Sequence, residues 1–362
     1  MYLSLFLNPG SPGPDNDLEV FETTIAHALE ADKAGLAAIF LTEHHFSGHN
    51  TYTDPFMFGS YLAPQLTQAY IGIAVMCAPF HNALRMVEYC NILDVLTRGR
   101  CIIGMGPGFS RPGDLEPFGM TRDQASGMTD QRMEVMLKVW AREETDPPLD
   151  VSTDWDQGIL TNRVSPAPFR KPHPLFGRGT TTDATVVRNA ELGLPVMFGI
   201  FVGLDDDSRK QVQLYRDTLR SSGHSPERIA ECERFLATSK AVYVVETEAE
   251  AEAYYEQLRP FHDAAESIGA PRQLWGEGGI KRAHVFGTPE SVAEQIKAYS
   301  EVVPGFRCAM LPGPGGPPIT HEQAKKSFRL LMDEVVPLLD LDTYPDPPEV
   351  QAQHSLTAEV SG

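Results

Sequence analysis

Glu43, His44 and His45 stand in a row directly after a short apolar run, Ala37-Ala38-Ile39-Phe40-Leu41. A carboxylate followed by two imidazoles offers three kinds of chemistry. Imidazole titrates near neutrality, so either histidine could act as a general acid or base with Glu43 beside it. The group could ligate a metal, with His49 or His81 completing the set. Or it could satisfy hydrogen bonds in a polar loop. Neighbouring strand residues point to opposite faces, and the chain contains neither H-x-H nor H-E-x-x-H. Metal is therefore the weakest of the three readings.

Two glycine-rich stretches add binding chemistry. Gly104-Met105-Gly106-Pro107-Gly108 would let a flat ligand approach the backbone. It is not a dinucleotide fingerprint, because Phe109 takes the place of the last glycine and the preceding strand is the fourth. Gly177-Arg178-Gly179-Thr180-Thr181-Thr182 lies between a strand and a helix start. Free N–H groups, a helix dipole and hydroxyls there make either a phosphate cradle or a capped turn.

These groups need a scaffold that gathers the ends of several strands. Residues 2–7, 37–41, 70–77, 100–105, 195–201, 235–245 and 306–311 read as apolar strands, with Pro174-Leu175-Phe176-Gly177 as one more. Residues 18–34, 82–97, 121–142, 184–192 and 205–222 read as helices. Thr247-x-x-Glu250, Thr288-Pro289 and Thr320-x-x-Gln323 mark further helix starts. The pattern predicts an α/β chain: a (β/α)8 TIM barrel with insertions after strands 4 and 7, at residues 143–172 and 259–286. An open doubly wound sheet is the alternative. Residues 1–340 would form the barrel domain, and the acidic, Pro-rich residues 341–362 a disordered tail.

The 362 residues carry a formal net charge of -19, which disfavours nucleic acid and anionic lipid as partners. Five scattered cysteines without a C-x-x-C pair suggest neither a zinc knuckle nor a disulfide framework, and a reducing cytoplasm fits them. The N-terminal run lacks a basic flank and is cut by Pro9 and Gly10, so it reads as a strand rather than a signal peptide. No apolar run is long enough to span a membrane.

Taken together, these motifs resemble the bacterial luciferase family of flavin-dependent monooxygenases. The likeness runs through Glu43-His44-His45-Phe46, Gly72-Ile73-Ala74-Val75, Leu93-Asp94-Val95-Leu96-Thr97-Arg98-Gly99-Arg100, Ile103-Gly104-Met105-Gly106, Phe118-Gly119, Trp140, Gly193-Leu194-Pro195 and Val285-Phe286-Gly287-Thr288-Pro289-Glu290. It implies a two-component enzyme, likewise cytoplasmic and homodimeric. Reduced FMN (FMNH2) would come from a separate NAD(P)H:flavin reductase, and O2 would oxygenate a small carbonyl or aromatic substrate. It places the catalytic histidine at His44, with Glu43 and His45 beside it, and a cis peptide next to the flavin at Ala74-Val75. Met105, Gly106 and Ile200 would lie near the ring, and Thr181, Thr182 and Thr185 near the phosphate. The luciferase itself has a cysteine at the place of Gly106, a phosphate-binding arginine at that of Pro107 and a tryptophan at that of Ile200. Arg178 or Arg111 would then supply the missing cation. These departures, with a shorter lid near residues 275–283, point away from aldehyde-driven light emission. A deazaflavin-dependent oxidoreductase of the same fold and a non-catalytic flavin-binding protein are the alternatives.

Overall fold

The computed structural model describes residues 1–46, 48, 50–108, 115–179, 182–199, 202–264, 276–310, 319–348 and 350. Eight parallel strands close into a barrel. They are β1 (Tyr2–Leu7), β2 (Ala38–Leu41), β3 (Tyr70–Cys77), β4 (Cys101–Gly106), β7 (Leu175–Gly179), β8 (Val196–Met197), β9 (Ala237–Val244) and β11 (Gly305–Met310). Each pairs with the next, β8 joins β9 at Met197 and Ala237, and β11 returns to β1. The barrel expected from the sequence is therefore the fold.

Helices alternate with the strands: α1 (Asp17–Lys33), α2 (Pro55–Leu62), α3 (Ala83–Leu96), α4 (Arg122–Ala141), α5 (Asp183–Glu191), α6 (Asp206–Ser221), α7 (Pro226–Arg234), α8 (Glu248–Asp263), α9 (Gly276–Ala283), α10 (Pro289–Ser300) and α11 (His321–Leu330). Local chemistry sets their starts. Thr121, Thr247 and Thr320 each form a capping box with Gln124, Glu250 and Gln323. Asp54 caps α2 by accepting from the N–H groups of Phe56 and Met57.

Strand alternation divides the core in two. Leu3, Leu5, Ile39, Ile71, Ile73, Ile103, Met105 and Cys308 face the helices. Tyr2, Phe6, Phe40, Tyr70, Ile102, Leu175 and Met197 pack inside the barrel. The same alternation puts Gly72, Gly104, Gly106, Gly177 and Gly179 on the inner face. The room there is limited: a Cβ on Gly177 would lie 2.1 Å from the Pro195 carbonyl oxygen, and one on Gly104 2.3 Å from Met197 Sδ.

Four expectations need correcting. Residues 284–286, read as the end of an excursion, form with Gly287 a ninth strand, β10 (His284–Gly287), which pairs with β9 beyond the short β8. That sixth barrel strand is two residues long where 195–201 was expected. Helix α7 was not foreseen. The segment after residue 340 does not begin as a loose tail. The Asp342 N–H donates to the Met1 carbonyl. Tyr344 is buried against Tyr2 and Phe235, at 4.6 and 4.5 Å between ring centroids. Residues 351–362 lie outside the described residues. The first excursion carries the hairpin β5 (Leu149–Asp150) and β6 (Ile159–Leu160). No helix of the described residues is long and apolar enough to cross a membrane.

Candidate active site

The chain leaves β2 through Thr42, whose position is fixed on every side. Its N–H donates to the Tyr52 hydroxyl (2.8 Å), which in turn donates to the Leu7 carbonyl (2.7 Å). Asn50 donates to the Thr42 carbonyl (2.8 Å), and the Thr42 hydroxyl reaches Asn8 (3.1 Å). Burial pushes the Tyr52 phenol up to about 12, so it stays a donor at neutral pH. The network ties the ends of β1 and β2 together and aims the next three residues.

Glu43 is 2% exposed. Its Oε1 meets His45 Nε2 at 3.0 Å and His81 Nε2 at 2.5 Å, and its Oε2 accepts from the Cys77 N–H at 2.6 Å. Burial pushes the carboxyl up, but the two imidazoles and the Cys77 N–H outweigh that and hold it below its usual range. Burial likewise pushes His81 down, and Glu43, helped by Asp54, more than restores it, so His81 is held above its usual value. The result is one buried carboxylate shared by two imidazoles from different strand ends. His81 was named from sequence only as an auxiliary metal ligand; its place just past β3 was the available signal. Among the described residues no group of three His, Cys, Asp or Glu side chains is placed to hold a metal.

His44 is half-buried and is not one of the two imidazoles on Glu43. With Glu43, His45, Cys77, Phe80 and Leu115 it lines a small recess at the barrel mouth. Phe80 and Phe118 stack at 4.3 Å and both meet the His45 ring edge-on. Phe46, 72% exposed, extends this aromatic wall.

A second layer supports the wall. Arg132 on α4 is 5% exposed and donates through Nη1 to the Ala78 and Pro79 carbonyls (2.8 and 3.0 Å). Its Nε and Nη2 pair with Asp156 (2.7 and 3.1 Å). Asp156 belongs to the irregular excursion, so that segment braces the turn carrying Phe80 and His81. Sequence reading did not single out either residue.

The candidate flavin residues are placed unevenly. The Ala74–Val75 peptide is cis, as the family resemblance implies, and both residues are half-buried at the mouth. A Cβ on Gly106 would lie 2.9 Å from Val75 Cγ2, and one on Gly179 3.0 Å from Val75 Cγ1. The two glycines thus make room for the Val75 side chain on the inner face at the mouth. Met105 does not join them. Its side chain is fully buried in the helix-facing core, so only its backbone borders the mouth. Arg178 also differs from expectation: it pairs with Met105 in register, faces α4 and forms an ion pair with Asp130. A charge already matched by a carboxylate is poorly suited to anchor a phosphate. Thr182 caps α5, and its hydroxyl lies 2.9 Å from that of Thr185, so both hydroxyls and a helix N-terminus meet at one point. Thr181, Ile200, Arg111 and His49 lie outside the described residues.

Comparison with known proteins agrees with the barrel. The model of the luciferase-like monooxygenase family matches residues 1–304. Limonene 1,2-monooxygenase of Rhodococcus erythropolis is 23% identical over 352 residues, covering 91% of this chain and 82% of that protein. Among solved structures, monooxygenase RslO1 from Streptomyces bottropensis superposes with a TM-score of 0.75 at 20% identity, over 93% of this chain and 99% of that one. The oxygenating constituent of 3,6-diketocamphane monooxygenase from Pseudomonas putida, in complex with FMN, gives 0.69 at 17% identity, over 95% and 100%. With a matched segment that spans the barrel from β1 to the end of α10, the chain belongs to the luciferase-like monooxygenase family.

Proposed function

We propose that this chain is the oxygenating component of a two-component monooxygenase, which takes reduced FMN and O2 to a small organic substrate carrying a carbonyl or an aromatic ring. The observation that carries the reading is the Glu43 carboxylate held between His45 and His81 beside half-buried His44. Reduced flavin, when bound, supplies the electrons that activate O2. The protein's part is to bind, orient, exclude water and manage one proton.

Val75, Gly106 and Gly179 would seat the ring, and Thr182, Thr185 and the first N–H groups of α5 would hold the phosphate. Phe46, Phe80 and Phe118 would cover the substrate side and keep water out. His44 would hold or deliver the proton at its imidazole nitrogen. Glu43 would fix His45 and His81 and with them the backbone that carries His44. A homodimer, a cytoplasmic location and a reductase partner complete the proposal.

The fold also houses F420-dependent enzymes, so a deazaflavin reading is kept as the second one. Anaerobic absorbance titration of the purified chain with reduced FMN and with reduced deazaflavin separates them. Tighter FMN binding, with oxygen uptake that rises on adding substrate, is expected. Preference for the deazaflavin, without oxygen uptake, would replace the first reading with the second.

A further inference from the structure

Arg307 sits inside the barrel, well away from the residues assigned to the mouth. Its neighbours in β11, Phe306 and Cys308, face the helices, so Arg307 faces inward. It is 1% exposed. Its guanidinium carbon lies 4.2 Å over the Phe40 ring. Among the described residues its Nε and Nη2 have no hydrogen-bond partner and no carboxylate forms an ion pair with it. Burial pushes its pKa down to about 10, with only the nearby Tyr344 phenol opposing that, so it remains a cation at neutral pH.

A desolvated cation is costly unless an opposite charge or good acceptors meet it. One aromatic face supplies part of that but uses none of the N–H donors. The surrounding rung is built of further donors. Arg307 is in register with Ser4 on β1 and with Ser239 on β9, both buried and both inward-facing by strand alternation. Gly72 adds no side chain on the same face, and Phe40 packs flat over it. Barrel interiors of this kind are ordinarily filled with bulky branched side chains. Here one rung reads hydroxyl, guanidinium, hydroxyl.

We propose that the Ser4–Arg307–Ser239 rung is a buried site for a small monovalent anion of halide size, closed from below by Tyr344. The anion takes the open guanidinium N–H groups and the two flanking hydroxyls as donors. Its charge balances Arg307 where the described residues provide no carboxylate. The size limit follows from the packing around the rung, where the Phe40 ring covers the guanidinium and shares a buried cluster with Tyr344. The site is separate from the mouth, and it would couple the stability of the barrel to halide rather than to flavin or substrate.

The test uses the full chain at fixed ionic strength, exchanging sodium gluconate for sodium chloride. A thirtyfold rise in chloride above its dissociation constant should raise the thermal midpoint by about 2–4 °C. Crystals soaked in bromide should show an anomalous peak within hydrogen-bond distance of the Arg307 guanidinium. Ser239→Ala, which leaves Arg307 in place, should shift the chloride dependence to at least about threefold higher concentration, as loss of one hydrogen-bond donor does. Arg307→Met should abolish it. A chloride response that persists unchanged in Arg307→Met, or a wild-type crystal with ordered water and no bromide at the rung, would overturn the proposal. Where Arg307→Met does not fold, the bromide peak and Ser239→Ala decide.

Discussion

Glu43 Oε1 and His81 Nε2 approach to 2.5 Å across the ends of β2 and β3, with the carboxylate side chain fully enclosed. The two groups shift in opposite senses, Glu43 downward and His81 upward. A lowered carboxyl adds stability above its unfolded pKa and loses it as pH falls through the lowered value. A raised imidazole adds stability below its unfolded pKa and loses it as pH rises through the raised value. The pair therefore contributes most between the ordinary values of 4.5 and 6.5 and less on either side. Urea unfolding of His81→Gln against pH should lack the decline that the wild type shows as pH rises above the ordinary imidazole value of 6.5. Parallel curves for the two proteins would show that the pair has no weight in stability.

His44 and Glu43 should separate cleanly in their effects. His44→Ala removes a half-buried imidazole at the mouth and should leave the thermal midpoint near wild type, while turnover falls by about 10²-fold or more. Glu43→Ala removes a buried carboxylate that three groups depend on and should cost roughly 3–5 kcal/mol of stability. Unchanged turnover in His44→Ala, together with a large loss of stability, would give His44 a purely structural role.

Asp156 should matter to the mouth although it comes from the irregular excursion. Asp156→Ala leaves Arg132 Nε and Nη2 buried without their acceptors, at a cost of about 1–3 kcal/mol. It also loosens the grip of Arg132 on the Ala78 and Pro79 carbonyls, and hence the placement of Phe80 and His81. Turnover should drop more than flavin affinity. If both are untouched, the excursion is only a surface insertion.

The strand ends were legible in the sequence because they follow a simple rule: an apolar run, then a polar or glycine-rich group. That rule located Glu43 and Thr182, whereas the cis Ala74–Val75 peptide was implied only by the family resemblance. The rule could not say which imidazole Glu43 holds, because the contact to His81 spans 38 positions and depends on how β2 and β3 are paired. Nor could it separate the inner from the outer face at Met105 and Arg178, where one residue of strand phase turns a ligand contact into core or into an ion pair with Asp130. Composition alone misjudged residues 341–348: Pro and Asp are frequent, yet the Tyr344 ring packs against Tyr2 and Tyr70, and the Pro345 carbonyl accepts from the Tyr70 hydroxyl.

The phosphate of FMN should depend on Thr182 rather than Arg178. Thr182→Ala removes both the cap of α5 and one of two convergent hydroxyls, so FMN should weaken more than riboflavin, which lacks the phosphate. Arg178→Ala unbalances Asp130 and should weaken both ligands alike, through stability. Fluorescence titration with the two flavins checks this. A loss confined to FMN in Arg178→Ala would return the anchor to that arginine.

This chain should be unable to reduce flavin with nicotinamide by itself. Its barrel and insertions account for the described residues up to Leu338. The glycine-rich end of β4 departs from the dinucleotide pattern at Phe109. The net charge of -19 repels a second anionic cofactor over long range, so binding must rest on local donors such as those at α5. Anaerobic mixing of the protein with FMN and NADH or NADPH should leave the flavin absorbance unchanged. Adding an unrelated flavin reductase should bleach it, and admitting oxygen and substrate should then give product. Rapid bleaching by the chain alone would contradict the two-component reading and favour a self-sufficient flavin oxidoreductase built on the same barrel.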